Sequence, residues 1–356
     1  MSTAINSNFR DEVLGAPRAA TGMYALVHED CAHGATTQFA RKRIYRSALV
    51  KTTPVTPDDL AASVLAVPPI ARHPDFSLNI AANKLMIRHL EAGGVRTLMY
   101  GGNANFYNIG VRDYHKVLEM LENLAGEDSW VIPSIGPDFG KAIDQVDLLR
   151  SRAFPTAMIL PLPFPSTDEG LAIGILRLSK FYKKPLIVYI KSDHYLEPKT
   201  VAKLVADGVV AAVKYGTVRK DPSDDPYLKE LTQHVDPKMI LSGIGETPAI
   251  IHLRDFGLQG FTSGSVCVAP RGSMKMLQLI KAGQYDEAAK IREAYLPMEE
   301  CRDSISPIRV LHEAVTLAGI ADMGPMLPML TNIGAEHHER VGAAAKALLA
   351  HDEALA

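Results

Sequence analysis

Three observations predict an α/β fold, a (β/α)8 TIM barrel with an N-terminal extension and a C-terminal helical appendix. Eight short apolar strand patterns alternate with eight amphipathic helical patterns over the middle of the chain, the count of that barrel. The key strand patterns are unbroken apolar runs, as strands buried on both faces of a parallel sheet require. No GxGxxG follows a strand and no P-loop occurs, which argues against a doubly wound nucleotide-binding sheet.

The elements follow in order. Ser63 to Val67 reads as a strand ended by Pro68-Pro69, and Asn79 to Ala92 as a helix stopped by Gly93-Gly94. Arg96 to Tyr100 is the second strand. Val111 to Ala125 is a helix with Tyr114, Val117, Leu118 and Leu121 at a 3.6-residue period. Trp130 to Ile135, Thr156 to Leu160 and Leu186 to Ile190 are strands. They alternate with helices over Asp138 to Ser151, Asp168 to Tyr182 and Pro198 to Ala206, the last opened by a proline at its first turn. Val209 to Val213 is the sixth strand, followed by a helix from Pro226 to His234. Met239 to Ser242 and Gly260 to Gly264 are the seventh and eighth strands, with helices over Pro248 to Asp255 and Gly272 to Ala282. Beyond Gly283 the pattern is helical only: Tyr285 to Cys301, Pro307 to Ala318 and Ala335 to Ala350. The domain reading is an extension over 1–60, the barrel over 61–284 and C-terminal helices over 285–356. The extension is poorly periodic and carries the basic cluster Arg41-Lys42-Arg43, read as a solvated arm.

Composition narrows the function classes. The chain of 356 residues is 47% hydrophobic and 22% charged, with a net charge of −2. That is an ordinary globular balance without the basic footprint of a nucleic-acid or anionic-membrane partner. No apolar run is long enough to span a bilayer. Cys31, Cys267 and Cys301 are far apart, which suits a reducing compartment better than a disulfide framework. With no basic-then-apolar start, a cytoplasmic location is expected. No HxH or HExxH spacing occurs, so no metal is expected.

In a barrel of this kind the chemistry lies at the C-terminal ends of the strands. The sixth strand runs Val209-Val210-Ala211-Ala212-Val213 straight into Lys214 and a Gly216 turn. A lysine walled by apolar strand residues loses part of its preference for the ammonium, and a neutral amine can attack a carbonyl to form a Schiff base. Tyr189 ends the neighbouring strand and is placed to handle protons. Glu246 follows a glycine-rich strand end and is expected to be solvated.

The ordered set of strand ends resembles the dihydrodipicolinate synthase / N-acetylneuraminate lyase family of class I aldolases. The matching pieces are Leu186-Ile187-Val188-Tyr189, Val213-Lys214, Leu241-Ser242-Gly243 and Gly260-Phe261-Thr262-Ser263-Gly264 through Pro270. Thr167-Asp168-Glu169-Gly170-Leu171, Pro307-Ile308-Arg309 and Gly324-Pro325-Met326-Leu327-Pro328 extend the match, which covers roughly residues 62 to 330. The resemblance implies a barrel enzyme with Lys214 as the Schiff-base lysine and Tyr189 as the proton-handling phenol facing it. It implies no cofactor, a small carbonyl substrate and a homo-oligomer, dimer or tetramer. Gly102, Asn103, Ala104, Phe164, Lys191, His194, Gly243, Thr262 and Ser263 are the candidate substrate-binding residues.

Three departures from the family pattern bear on the substrate. The family's Gly-Thr-Thr-Gly-Glu type turn after strand two reads Gly102-Asn103-Ala104-Asn105-Phe106, so one hydroxyl becomes an amide and the next a methyl. The second tyrosine of the synthases, after strand four, falls in Leu162-Pro163-Phe164. Their arginine after the strand-five tyrosine falls in Lys191-Ser192-Asp193-His194-Tyr195. The reading is a Schiff-base lyase, aldolase or dehydratase, for a 2-oxo acid or related carbonyl compound. A non-catalytic metabolite-binding barrel and a true dihydrodipicolinate synthase stay open as alternatives.

Overall fold

Eight parallel strands close into a barrel in the order β1-β2-β3-β4-β5-β6-β7-β8. A computed structural model describes residues 53–355, so most of the segment read as an extension, including the basic cluster, lies outside the described residues. The strands are β1 Leu65–Ala66, β2 Thr97–Tyr100, β3 Trp130–Ile135, β4 Met158–Ile159, β5 Leu186–Ile190, β6 Val210–Tyr215, β7 Ile240–Ser242 and β8 Gly260–Ser263. The barrel helices are α2 Ile80–Ala92, α3 Val111–Leu124, α4 Phe139–Leu149, α5 Asp168–Tyr182, α6 Pro198–Ala206, α7 Pro226–His234, α8 Glu246–Asp255 and α9 Pro270–Lys281, preceded by a short α1, Pro57–Ala61, that the sequence reading did not contain. Side-chain caps start several of them: Asp138 accepts from Lys141 N at 2.8 Å and Asp225 from Leu228 N at 2.9 Å, each worth about 1 kcal/mol.

Nearly every strand residue is buried, because the barrel interior takes one face and the helix ring the other. This is why the strands read as continuous apolar runs rather than alternating ones. β1 and β4 are two residues each, shorter than the sequence suggests. The prolines after them, Pro68 and Pro161, lack the N–H that would extend the ladder. β6 runs longer than its apolar pattern, so Lys214 sits inside the strand and pairs with Tyr189 on β5 and Leu241 on β7.

Beyond the barrel, the single helix expected over Tyr285 to Cys301 is two: α10 Tyr285–Glu293 and α11 Leu296–Ser304. Pro297 starts the second, and a proline there removes an interior helical hydrogen bond and re-aims the chain. α12 Pro307–Leu317 and α13 His338–Glu353 follow. Tyr295, Met298, Val310, Val341 and Leu348 form a second core with Val268 and Ala269 of the β8–α9 connection. The appendix is thereby fastened to the catalytic edge of the barrel.

Candidate active site

Lys214 is held from both sides of its strand. The next residue, Tyr215, points into the helix layer, where its hydroxyl donates to Asp225 at 2.6 Å and its ring stacks on Tyr227 at 5.9 Å. Asp225 also takes Arg219 at 3.0 Å and caps α7. With Tyr215 fixed outward, the pleat turns Lys214 inward. Its amine lies 4.5 Å from the centre of the Tyr189 ring, within cation–π range. Lys214 is only 5% exposed. Burial, and then the charges of Lys191 and Arg302, lower its pKa from 10.5 to about 7. Burial pushes the Tyr189 phenol up to about 12, so at neutral pH it is a proton donor. The Tyr189 ring also covers Gly216, where a Cβ would come within 2.8 Å of Cε2.

The remaining predicted residues divide into those beside this pair and those spent on architecture. Lys191 extends β5 and acts electrostatically on Lys214. The strand-two turn is internally bonded. The amides of Ala104, Asn105 and Phe106 donate to Gly101 or Gly102 carbonyls at 2.9–3.2 Å, and the Asn103 side chain donates to Val67 O at 3.0 Å. Ala104 therefore has no spare N–H. Tyr107 and Ile308 of α12 approach Gly102 and cover the turn. Gly243 is needed for packing, since a Cβ there would stand 2.5 Å from Tyr215 O. Thr262 is buried and its carbonyl takes Gly245 N at 3.0 Å. Ser263 Oγ accepts from Val266 N at 2.9 Å. His194 is exposed on the rim, 3.0 Å from Glu197. Phe164 is 84% exposed, at the lip of an apolar cavity of about 630 Å³. That cavity runs between α4 and α5, with Ile159, Leu162, Leu171, Val188, Tyr189 and Tyr195 among its walls.

Behind the β7 and β8 ends lies a polar network that the sequence reading missed. Glu246, expected to be solvated, is fully buried. Gly245, at φ +86°, turns the chain so that α8 begins with Glu246 inward. Ser273 donates to Glu246 Oε1 at 2.5 Å, while Oε2 is buried without a hydrogen-bond partner. Burial first, and the nearby Glu299 second, raise the Glu246 carboxyl to about 7, so it is protonated below neutral pH and partly protonated near it. Glu299, from α11, accepts from Ser265 and takes both oxygens to Arg302 Nη1 at 2.8 and 3.0 Å. Arg302 acts electrostatically on both Lys214 and Tyr189. The only sequence signal for the pair was an i,i+3 Glu–Arg spacing, which ordinarily marks a solvated helix face. Among the described residues there is no group of three or more His, Cys, Asp or Glu side chains able to hold a metal ion. No helix among them is long and apolar enough to cross a membrane.

Comparison with known proteins identifies the family. Residues 63–348 match the Dihydrodipicolinate synthetase family. A 4-hydroxy-tetrahydrodipicolinate synthase of Cellvibrio japonicus is 23% identical over 278 residues, 76% of this chain and 92% of that one. The synthase of Streptococcus uberis is 24% identical over 268 residues, 72% and 84% of the two chains. Dihydrodipicolinate synthase from Bacillus clausii superposes with a TM-score of 0.72 at 20% identity, over 82% of this chain and 98% of that one. A sialic acid aldolase of Ruminococcus gnavus gives 0.72 at 16% identity, over 83% and 100%. The chain belongs to the dihydrodipicolinate synthetase family, and with it to the class I aldolase-type lyases.

Proposed function

We propose that the protein is a Schiff-base lyase in which Lys214 attacks the carbonyl carbon of a 2-oxo acid. The observation that carries this reading is the buried Lys214 amine over the Tyr189 ring at 4.5 Å, with a pKa near 7. About half of such amines are neutral at pH 7, against fewer than one in a thousand for an ordinary lysine. Attack gives a carbinolamine. Tyr189 delivers a proton to its hydroxyl, which leaves as water, and the imine that results withdraws electrons from the adjacent carbon. That carbon can then exchange a bond to carbon or oxygen without an external cofactor.

The acceptor half of the substrate is read from the apolar cavity that meets the site at Tyr189; Lys214 is not among its walls. Tyr189 and Tyr195 line the 630 Å³ cavity whose other walls are chiefly aliphatic, and Leu162 and Phe164 stand where the synthases carry a tyrosine. These features support a bulkier, less charged acceptor than aspartate semialdehyde. The exposed Phe164, Phe139 and Ile173 near the cavity mouth suit a homo-oligomer, checked by solution mass. The test of function is a panel of 2-oxo acids and aldehydes assayed for turnover and for borohydride trapping. Longer apolar aldehydes should outperform aspartate semialdehyde as partners of pyruvate. A synthase kcat/KM at or above about 10⁴ M⁻¹s⁻¹, in the ordinary enzyme range, would overturn the substrate reading.

A further inference from the structure

We infer that Arg302, delivered from the C-terminal helix α11, binds the carboxylate of the substrate that Lys214 attacks. The inference rests on the Schiff-base reading for its substrate. Its geometry stands apart from that reading.

The strand-two turn lacks side-chain donors for a carboxylate. Ala104, Asn105 and Phe106 spend their amides on the turn itself, and the Asn103 side chain is spent on Val67. Neither threonine hydroxyl of the family pattern is present. Of the turn's donors only the backbone N–H groups of Gly102 and Asn103 are left for an anion, with no side-chain donor beside them.

The Arg302 guanidinium lies against Gly264 at the end of β8, filling the space of the absent side chain: a Cβ there would meet Nη2 at 2.8 Å and Cζ at 2.9 Å. Glu299 engages Nη1 through both oxygens, and Nε points to Pro307 O at 3.5 Å. Nη2 has no hydrogen-bond acceptor among the described residues. Glu299 is itself fixed by Ser265 and by its position under Gly245, so Arg302 cannot swing freely. The side chain is 11% exposed, and its charge acts on Lys214 and Tyr189. Among the described residues Glu299 is the one carboxylate bonded to Arg302; Glu246 and Asp303 act on it at longer range. A pinned, half-satisfied guanidinium is preorganised for a carboxylate oxygen.

The helix breaks at Pro297. A continuous helix over Tyr285 to Cys301 would end before residue 302, whereas the re-aimed α11 carries Glu299 and Arg302 on one face at i,i+3 and presents both to the β7 and β8 ends. In this reading the appendix supplies an essential part of the binding site.

The test uses oxamate, a carboxylate that cannot form an imine, and its uncharged ethyl ester, with binding measured by calorimetry. Arg302→Gln alone leaves Glu299 buried and unpaired. The decisive variant is therefore the double Arg302→Gln/Glu299→Gln, accompanied by Gly264→Ala, which displaces the guanidinium while keeping the arginine. Both should fold, as circular dichroism will show. Oxamate should bind about 10- to 100-fold more weakly to the double variant, the worth of one charge-assisted hydrogen bond, and several-fold more weakly to Gly264→Ala. The ethyl ester should bind the wild type and both variants alike. Equal oxamate affinity in wild type and double variant, or no oxamate binding by the wild type, overturns the inference. Because oxamate needs no reaction at Lys214, failure of the Schiff-base reading would show separately, as an absence of trapped pyruvate.

Discussion

Lys214→Met should make the protein more stable near neutral pH while abolishing its chemistry, and the gain should vanish in alkali. The folded chain binds the Lys214 proton less tightly than the unfolded chain does, because the ammonium must be buried beside Lys191 and Arg302. Between pH 7 and 10.5 the unfolded chain therefore holds the extra proton, and stability rises with pH across that window. The fall from 10.5 to about 7 corresponds to a penalty of roughly 5 kcal/mol when the lysine is charged in both states, at about 1.4 kcal/mol per factor of ten. Methionine has a similar length and no charge, so it removes that penalty without opening a large cavity. The expected advantage of the variant is about 5 kcal/mol at pH 6.5, shrinking to about 1.5 kcal/mol at pH 9.5. Urea midpoints of wild type and variant at these two pH values, at equal protein concentration, measure it. An advantage equal at both pH values, or none at pH 6.5, would show that the Lys214 amine is not strained by burial.

The remaining predictions concern the partners of Lys214. Tyr189→Phe keeps the ring under the amine and should leave substrate binding nearly intact while lowering kcat by roughly 10²-fold; an unchanged kcat would reduce the residue to packing. The rate of cyanoborohydride-trapped adduct formation with pyruvate should rise tenfold per pH unit below about 7 and level off above it, following the neutral amine; a rise that continues to pH 10 would contradict the lowered pKa. Glu246→Gln copies the protonated carboxyl and should cost less than about 1 kcal/mol at pH 7, whereas Glu299→Gln strands the Arg302 charge and should cost about 3–5 kcal/mol; equal costs in urea titrations would contradict the assigned protonation states.

The barrel was legible because its signals are local. Burial on both faces produces the apolar run of Val210 to Val213, and the period of α3 shows in Tyr114, Val117, Leu118 and Leu121. Lys214 and Tyr189 were legible for the same reason, since each closes such a run and their strands are sequence neighbours, which in a barrel pair in register. Arg302 was not, because its role depends on a helix break at Pro297 and on a glycine at position 264, more than thirty residues away. Glu246 was misread because its burial depends on Ser273 as a partner and on a raised carboxyl pKa. No local pattern encodes that combination. The strand-two turn departs from the family pattern in sequence. Its internal hydrogen bonds depend on backbone geometry that a five-residue string does not specify.

The central claim is that Lys214 forms the covalent link. Wild-type protein incubated with pyruvate at pH 7.5 and reduced with borohydride should gain one adduct per chain. Peptide mass mapping should place it on the segment containing Lys214, and the Lys214→Met variant should gain none. An adduct on Lys191 or another lysine instead, or a wild-type chain whose mass is unchanged, would contradict the account.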